Sequence, residues 1–268
     1  FGSEDAARTA SATVEADGSW TATLDAMAKS FEGRELVIES GEERVSFTDV
    51  LVGEVWVCGG QSNMEWTLRS SRDADVEVES ADTPGVRYLR LPKVAHIEPQ
   101  SDFPVKEGAN GGDWRLCLRE EASDCTGVGY YFARRLRRRL DVPVGLIDNS
   151  WGGTMAQHWV TQETLRGFPE VQPYFDDIEA QLAAWEEGGR AEGAERRFKE
   201  DTAAWEEARD AAKAAGEREP RRPDKRNYED PATKGQPGGM LNGSLRPIVR
   251  ATVRGVLFYQ GENNSFSE

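Results

Sequence analysis

The chemistry in this chain starts at one stretch, Val55-Trp56-Val57-Cys58-Gly59-Gly60-Gln61-Ser62-Asn63-Met64-Glu65-Trp66. The apolar run from Val55 to Cys58 predicts a buried parallel strand. Two glycines stop that strand and allow a sharp turn. Ser62 and Asn63 follow, and both residue types suit the opening of a helix. Strand, tight turn, serine and helix together lift a hydroxyl to the carboxyl edge of a sheet, where open α/β folds bind ligands. They also aim the unpaired N–H groups of a first helical turn at whatever lies beside the hydroxyl. A nucleophilic serine needs both features. The same residues equally fit a helix cap beside a core strand, with no chemistry attached. The hydrolase elbow G-x-S-x-G is not met, because Met64 stands where its second glycine would be.

Two later strand ends have a related character. Val142 to Ser150 reads as a buried parallel strand ending in polar residues, followed by Trp151-Gly152-Gly153-Thr154. A glycine there lets a backbone N–H approach a ligand closely, although an ordinary βα turn reads the same way. Val253 to Tyr259 predicts a third buried strand, which ends in Gln260-Gly261-Glu262-Asn263-Asn264. Taken alone, Gln260 is an ordinary polar residue at a strand end.

The elements that must position these turns can be read in outline. A chain of 268 residues holds one good-sized α/β core and a small accessory unit. Residues 1–51 read as part of a small β-sandwich domain, and 52–268 as the main domain. Ser11 to Val14 and Ser19 to Leu24 alternate around the turn signal Asp17-Gly18. Leu36 to Ile38 and Arg44 to Phe47 form a second pair around Ser40-Gly41-Glu42-Glu43. A strand is expected at Val86 to Leu91, closed by Pro92, then loop over residues 93–113. Trp114 to Cys125 fits no single template. Gly129 to Leu140 predicts a helix, with Tyr130, Phe132, Ala133, Leu136 and Leu140 at helical spacing. Arg134, Arg135, Arg137, Arg138 and Arg139 take its other face, which suits anion binding or plain solvation. An insertion at about 165–218 reads as a helical hairpin, with helices at roughly 171–188 and 193–214. Its near-repeat around Trp185 and Trp205 places the two tryptophans where the helices meet. Glu217 to Gly239 is charged and proline-rich, and is expected to be a mobile loop.

Composition excludes several partners. Net charge is −15, from 48 acidic against 33 basic residues, which disfavours nucleic acid and anionic membrane surfaces. An anionic substrate would need a local basic patch. No apolar run approaches the ~20 residues that cross a bilayer, and no signal peptide is visible. Cys58 reads as a small buried apolar residue. Cys117 and Cys125 are candidates to pair in an oxidising compartment. No Cys or His spacing resembles a zinc site.

Gly60-Gln61-Ser62-Asn63-Met64 resembles the first block of the sialate O-acetylesterase family, whose SGNH-type members carry their serine on a flavodoxin-like sheet. Ser150 to Thr154, with Trp159 downstream, resembles the second block. Tyr259-Gln260-Gly261-Glu262-Asn263-Asn264 matches the third, Tyr-Gln-Gly-Glu-Ser-Asn, with Asn263 in place of the serine and Phe258 where the family usually has Trp. The resemblance implies a three-layer α/β fold with a flavodoxin-like parallel sheet, preceded by a β domain. It implies a carbohydrate O-acetylesterase, similar to sialate 9-O-acetylesterases, acting on an acetylated carbohydrate with no metal or organic cofactor. Ser62 would attack the acetyl carbonyl and form an acetyl-enzyme. The N–H groups of Ser62 and Gly153 and the amide of Gln260 would hold the oxyanion. Gln61, Asn63, Glu262 and Asn263 are candidate substrate-binding residues. The family's base lies in a late Asp-x-x-His segment. Residue 93 is Lys and residue 155 is Met, so neither His96 nor His158 fits. The base and its Asp are expected beyond Glu268 or on a second polypeptide, with His158 as an unorthodox substitute. A secreted or periplasmic location goes with the resemblance. An esterase for acetylxylan or another polysaccharide fits the same blocks, and so does a catalytically inactive sugar-binding protein.

Overall fold

The computed structural model describes residues 8–103, 113–186, 192–228, 230–231 and 235–266. Two strands, β1 (Ser30–Ser40) and β2 (Glu43–Val52), form an antiparallel hairpin that closes at the pair Ser40 and Glu43. This is the second of the two expected strand pairs, with longer arms. The first pair does not form. Asp17-Gly18 does make its turn, with Gly18 N–H donating to Glu15 O at 3.0 Å, but Ser11 to Val14 and Ser19 to Leu24 lie in no strand. Val14, Trp20 and Leu24 are all exposed, so this stretch buries no apolar face that could hold two short strands together.

The main sheet begins with β3 (Glu54–Gly60), which leads through Gln61 into the short helix α1 (Ser62–Glu65). Helix α2 (Ala74–Glu79) follows, then β4 (Asp82–Arg90) and β5 (Trp114–Leu118). After them come α3 (Arg119–Ala122), α4 (Gly127–Leu140) and β6 (Val144–Ser150). Helices α5 (Gln162–Arg166), α6 (Gln172–Glu186) and α7 (Ala194–Ala215) precede the last strand, β7 (Gly255–Tyr259). The order across the sheet is β5-β4-β6-β3-β7. Strands β4, β6, β3 and β7 are parallel, and β5 runs antiparallel to β4 at one edge. The stretch Trp114 to Cys125, undecided from sequence, is therefore an edge strand plus one turn of helix.

Alternation along the strands sends neighbouring side chains to opposite faces. Cys58, Val86, Tyr88, Val144 and Leu146 pack on one side with Met64, Leu68, Tyr130 and Ala133. Val57, Leu91 and Ile147 pack on the other with Leu245 and Ile248. Both faces are covered, as a three-layer α/β fold requires. Helix α4 opens on Thr126, whose hydroxyl accepts from Gly129 N–H at 3.4 Å, and ends at Asp141 in a left-handed conformation. Arg134 on its outer face pairs with Glu77 at 2.5 Å, and Arg137 covers the ring of Phe31. Arg135, Arg138 and Arg139 remain exposed, so that face reads as solvated.

Three expectations change. Strand β7 is not buried: Val256, Phe258 and Tyr259 are exposed, because the strand lies at the sheet edge and pairs only with β3 among the described residues. The helical insertion forms, but no ring contact joins Trp185 to Trp205 among the described residues. Trp205 instead donates its Nε1 hydrogen to Pro220 O at 2.9 Å, with Arg209 and Arg222 over its ring. The end of the expected mobile loop, Gln236 to Gly239, is buried, and Gly238 N–H donates to Gln157 O at 2.9 Å. Cys58, Cys117 and Cys125 are buried free thiols.

Candidate active site

Sheet register brings the three turns together. Gly60 pairs with Ser150 on one side and with Tyr259 on the other, so residues 61–65, 151–154 and 260–263 leave the same edge of three adjacent strands. Backbone bonds link the exits. Trp151 N–H donates to Gly60 O at 2.9 Å, and Gln61 N–H donates to Tyr259 O at 3.1 Å. Gly60 sits at φ +131, where a Cβ would lie 2.1 Å from Tyr259 O, so no other residue fits.

Ser62 opens α1 and is exposed. Gly152 lies directly against it: a Cβ added at Gly152 would be 3.4 Å from Ser62 Cβ. Gly153 follows in the left-handed region, at φ +77. Among the described residues, neither the N–H of Ser62 nor that of Gly153 has a hydrogen-bond partner. An exposed hydroxyl with uncommitted N–H donors close by is what acyl transfer requires; here one such N–H is Ser62's own and the other belongs to the residue after Gly152.

The third expected donor is different. Gln260 Nε2 donates to Gln61 Oε1 and to Thr154 O, both at 2.8 Å. A side-chain amide has two N–H donors, and both are used inside the protein. The buried acceptors they satisfy would otherwise be left unpaired, which is costly. Gln61 is also not a surface group. It is only 4% exposed, and its Oε1 accepts from Gln260 and, at 3.1 Å, from Asn263 N–H. Both glutamines tie the first turn to the third rather than facing a ligand. Asn63, Glu262 and Asn263 are half-buried at the edge. Asn63 Nδ2 donates to Glu262 Oε1, and Asn263 Nδ2 donates to Gly153 O at 3.0 Å.

Sequence reasoning misses three residues here. Thr154 is fully buried; its hydroxyl donates to Trp151 O at 2.8 Å and accepts from Trp159 Nε1 at 3.2 Å. Asn264 Oδ1 accepts from Ala156 N–H at 2.9 Å. Glu65 Oε2 accepts from Gly152 N–H at 2.6 Å, while its other oxygen pairs with Lys93. Burial pulls the Glu65 carboxyl upward, but the Lys93 ammonium, the Gly152 N–H and Arg90 outweigh it and hold the group below the usual carboxylate range. Only the position of Glu65, one helical turn after Ser62, could have flagged it.

Neither histidine is placed as a base. His158 is buried, and its Nδ1 accepts from Met155 N–H at 3.1 Å. The neutral ring therefore carries its hydrogen on Nε2, 3.1 Å from Tyr174 OH, which in turn donates to Gly235 O at 2.5 Å. Both ring nitrogens are engaged in holding the second turn. Burial pushes the Tyr174 phenol up to about 12, consistent with a fixed donor. His96 is exposed, and its Nδ1 accepts from Glu98 N–H at 3.1 Å within its own loop.

Comparison with known proteins gives a consistent result. A family model described as carbohydrate esterase, sialic acid-specific acetylesterase, matches residues 52–187. Sialate O-acetylesterase of Rattus norvegicus is 25% identical over 271 residues, covering 92% of this chain and 42% of the relative. The Homo sapiens protein of the same name is 30% identical over 160 residues, covering 55% of this chain and 29% of the relative. The chain thus spans less than half the length of the curated relatives it matches. A crystal structure of a carbohydrate acetylesterase from Xanthomonas citri shares the fold, with a TM-score of 0.59 and 23% identity, covering 93% of this chain and 44% of that one.

Proposed function

The chain belongs to the sialic acid-specific acetylesterase family of carbohydrate esterases, and from that premise we propose that it carries the nucleophile and oxyanion site of a carbohydrate O-acetylesterase. The observation that supports this best is the exposed Ser62, with Gly152 packed against its Cβ and the N–H groups of Ser62 and Gly153 without a partner among the described residues. Ser62 Oγ attacks the acetyl carbonyl as its proton passes to a base. The N–H groups of Ser62 and Gly153 hold the resulting oxyanion, and each such donor is worth about 2.7–4 kcal/mol in the transition state. The intermediate collapses, the sugar hydroxyl leaves with a proton, and water hydrolyses the acetyl-Ser62 ester by the reverse sequence. Asn63, Glu262 and Asn263 line the edge where the sugar would sit.

His158 is bonded through both ring nitrogens and His96 through Nδ1, and neither fits the family's Asp-x-x-His pattern, so another segment or a second polypeptide is proposed as the source of the base and its Asp. The substrate is an acetylated sugar, with a 9-O-acetylated sialic acid favoured by the family and an acetylated polysaccharide as the alternative. Residues 1–51 belong to a partial β domain, 52–268 to the esterase domain, and about 165–218 to its helical insertion. The protein works in a secreted or periplasmic setting.

The test is acetate release by the full-length protein from 9-O-acetylated sialic acid, acetylxylan and p-nitrophenyl acetate, with Ser62→Ala alongside. Loss of about 10³-fold or more in kcat is expected for the variant. A full-length protein that hydrolyses none of the three yet binds sugars would be the inactive sugar-binding protein instead, a reading that the engaged histidines keep in view.

A further inference from the structure

Glu65 has a place in the site that the esterase reading does not use. It lies three residues after Ser62, on the same turn of α1. Its Oε2 takes the Gly152 N–H at 2.6 Å, and a Cβ at Gly152 would meet that oxygen at 3.0 Å and Ser62 Cβ at 3.4 Å. The carboxylate and the serine thus bracket Gly152 from one helical turn. The next N–H in the chain, that of Gly153, is one of the two uncommitted donors. Gly152 and Gly153 have no side chains to fix them, so the direction of that donor depends on what holds the peptide before it.

A carboxylate this close to a developing oxyanion would oppose catalysis if it stood alone. It does not. Lys93 pairs with Oε1, the oxygen that does not hold Gly152. Arg90, at the end of β4, faces the same carboxylate and also lies 3.6 Å from Oδ2 of the buried Asp148. Two cations thus stand behind two acids. The dipole of the Gly152 peptide can be gripped without adding net negative charge beside Ser62.

We propose that Glu65 is a positioning residue for the oxyanion site, holding the Trp151–Gly153 turn against Ser62, and that Lys93 keeps its charge from opposing the reaction. The proposal rests on the esterase reading for its kinetic part and on geometry alone for its structural part. Two measurements on the full-length protein separate them. In kinetics with p-nitrophenyl acetate, Glu65→Ala should lower kcat by about 100-fold with KM little changed, and Glu65→Gln, which keeps an acceptor oxygen, by about tenfold. Lys93→Met should lower kcat by about tenfold, and adding Glu65→Gln to it should cost less than the product of the two single losses. In amide exchange, Glu65→Ala should speed Gly152 at least about tenfold while leaving the core strands unchanged. Strictly additive kinetic losses, or losses that follow Tm, would make Glu65 merely structural. Unchanged Gly152 exchange would overturn the proposal outright. If the wild type itself has no esterase activity, the functional reading fails, and the exchange result still decides the positioning claim.

Discussion

The carboxyl edge of the sheet and the α6–α7 arm are built by opposite rules. At the edge, partners are far apart in sequence: Gln260 bonds to Gln61 across 199 positions, and Asn263 to Gly153 across 110. The Gln260–Gln61 bond is half-buried and satisfies the carbonyl oxygen of the buried Gln61, while the Asn263–Gly153 bond lies at the exposed rim. In α7 the ion pairs are local, Arg196 with Glu200 and Lys199 with Glu195, each one helical turn apart and exposed. Only Ala194 of that helix is buried. The edge is fixed by long-range complementarity, while α7 is fixed by helix propensity and a few contacts such as Trp205 with Pro220; α6, which buries Phe175 and Ile178, stands between the two.

That contrast can be broken at its strongest point first. Gly60→Ala places a Cβ 2.1 Å from Tyr259 O, between two strands that cannot separate without losing β7. It is expected to cost about 3 kcal/mol or more, seen as a large drop in Tm or in soluble yield. Thr154→Val keeps the volume but leaves the Trp159 indole N–H without its acceptor in a buried site. A loss of about 2 kcal/mol by denaturant titration is expected, with an unchanged m value. Ala204→Gly, on the exposed side of α7, should cost about 1 kcal/mol of local helix stability. Faster exchange should stay within α7, leaving β3 and β6 as protected as before. If the arm variant destabilised the sheet as much as Thr154→Val, the two regions would not be separate in energy, and the comparison would fail.

The same contrast explains what was legible beforehand. Strands β3 and β6 carry apolar runs bounded by glycine or proline, β4 mixes Val86, Tyr88 and Leu89 with arginines between Gly85 and Pro92, and helix α4 carries a 3.6-residue period, so pattern alone locates them. The arm is legible for the same reason: helix formers at local spacing decide it. Ser11 to Leu24 shows the limit. Its alternation is real, but alternation makes a strand only where a partner buries one face. Strand β7 fails the other way, since it pairs correctly while exposing Phe258 and Tyr259 at the sheet edge.

For the site, residue types at three strand ends mark Ser62 as a candidate nucleophile, and the family resemblance adds Gly153 as a candidate donor. The sequence could not say which polar groups at those ends face outward. The family resemblance casts Gln61 as a substrate ligand and Gln260 as an oxyanion donor, yet the fold points the Gln260 amide at Gln61, because buried donors and acceptors must be paired. His158 looks like a spare base, until Met155 and Tyr174 occupy both its nitrogens. Glu65 looks like an ordinary helix residue, until register sets it on Gly152. Local sequence determined most of the elements and the candidate hydroxyl of Ser62, because propensity and hydrophobic period act between near neighbours. Only the tertiary structure decided which side chains hold the site together and which are left to act, because that depends on atoms brought within 3 Å from distant parts of the chain.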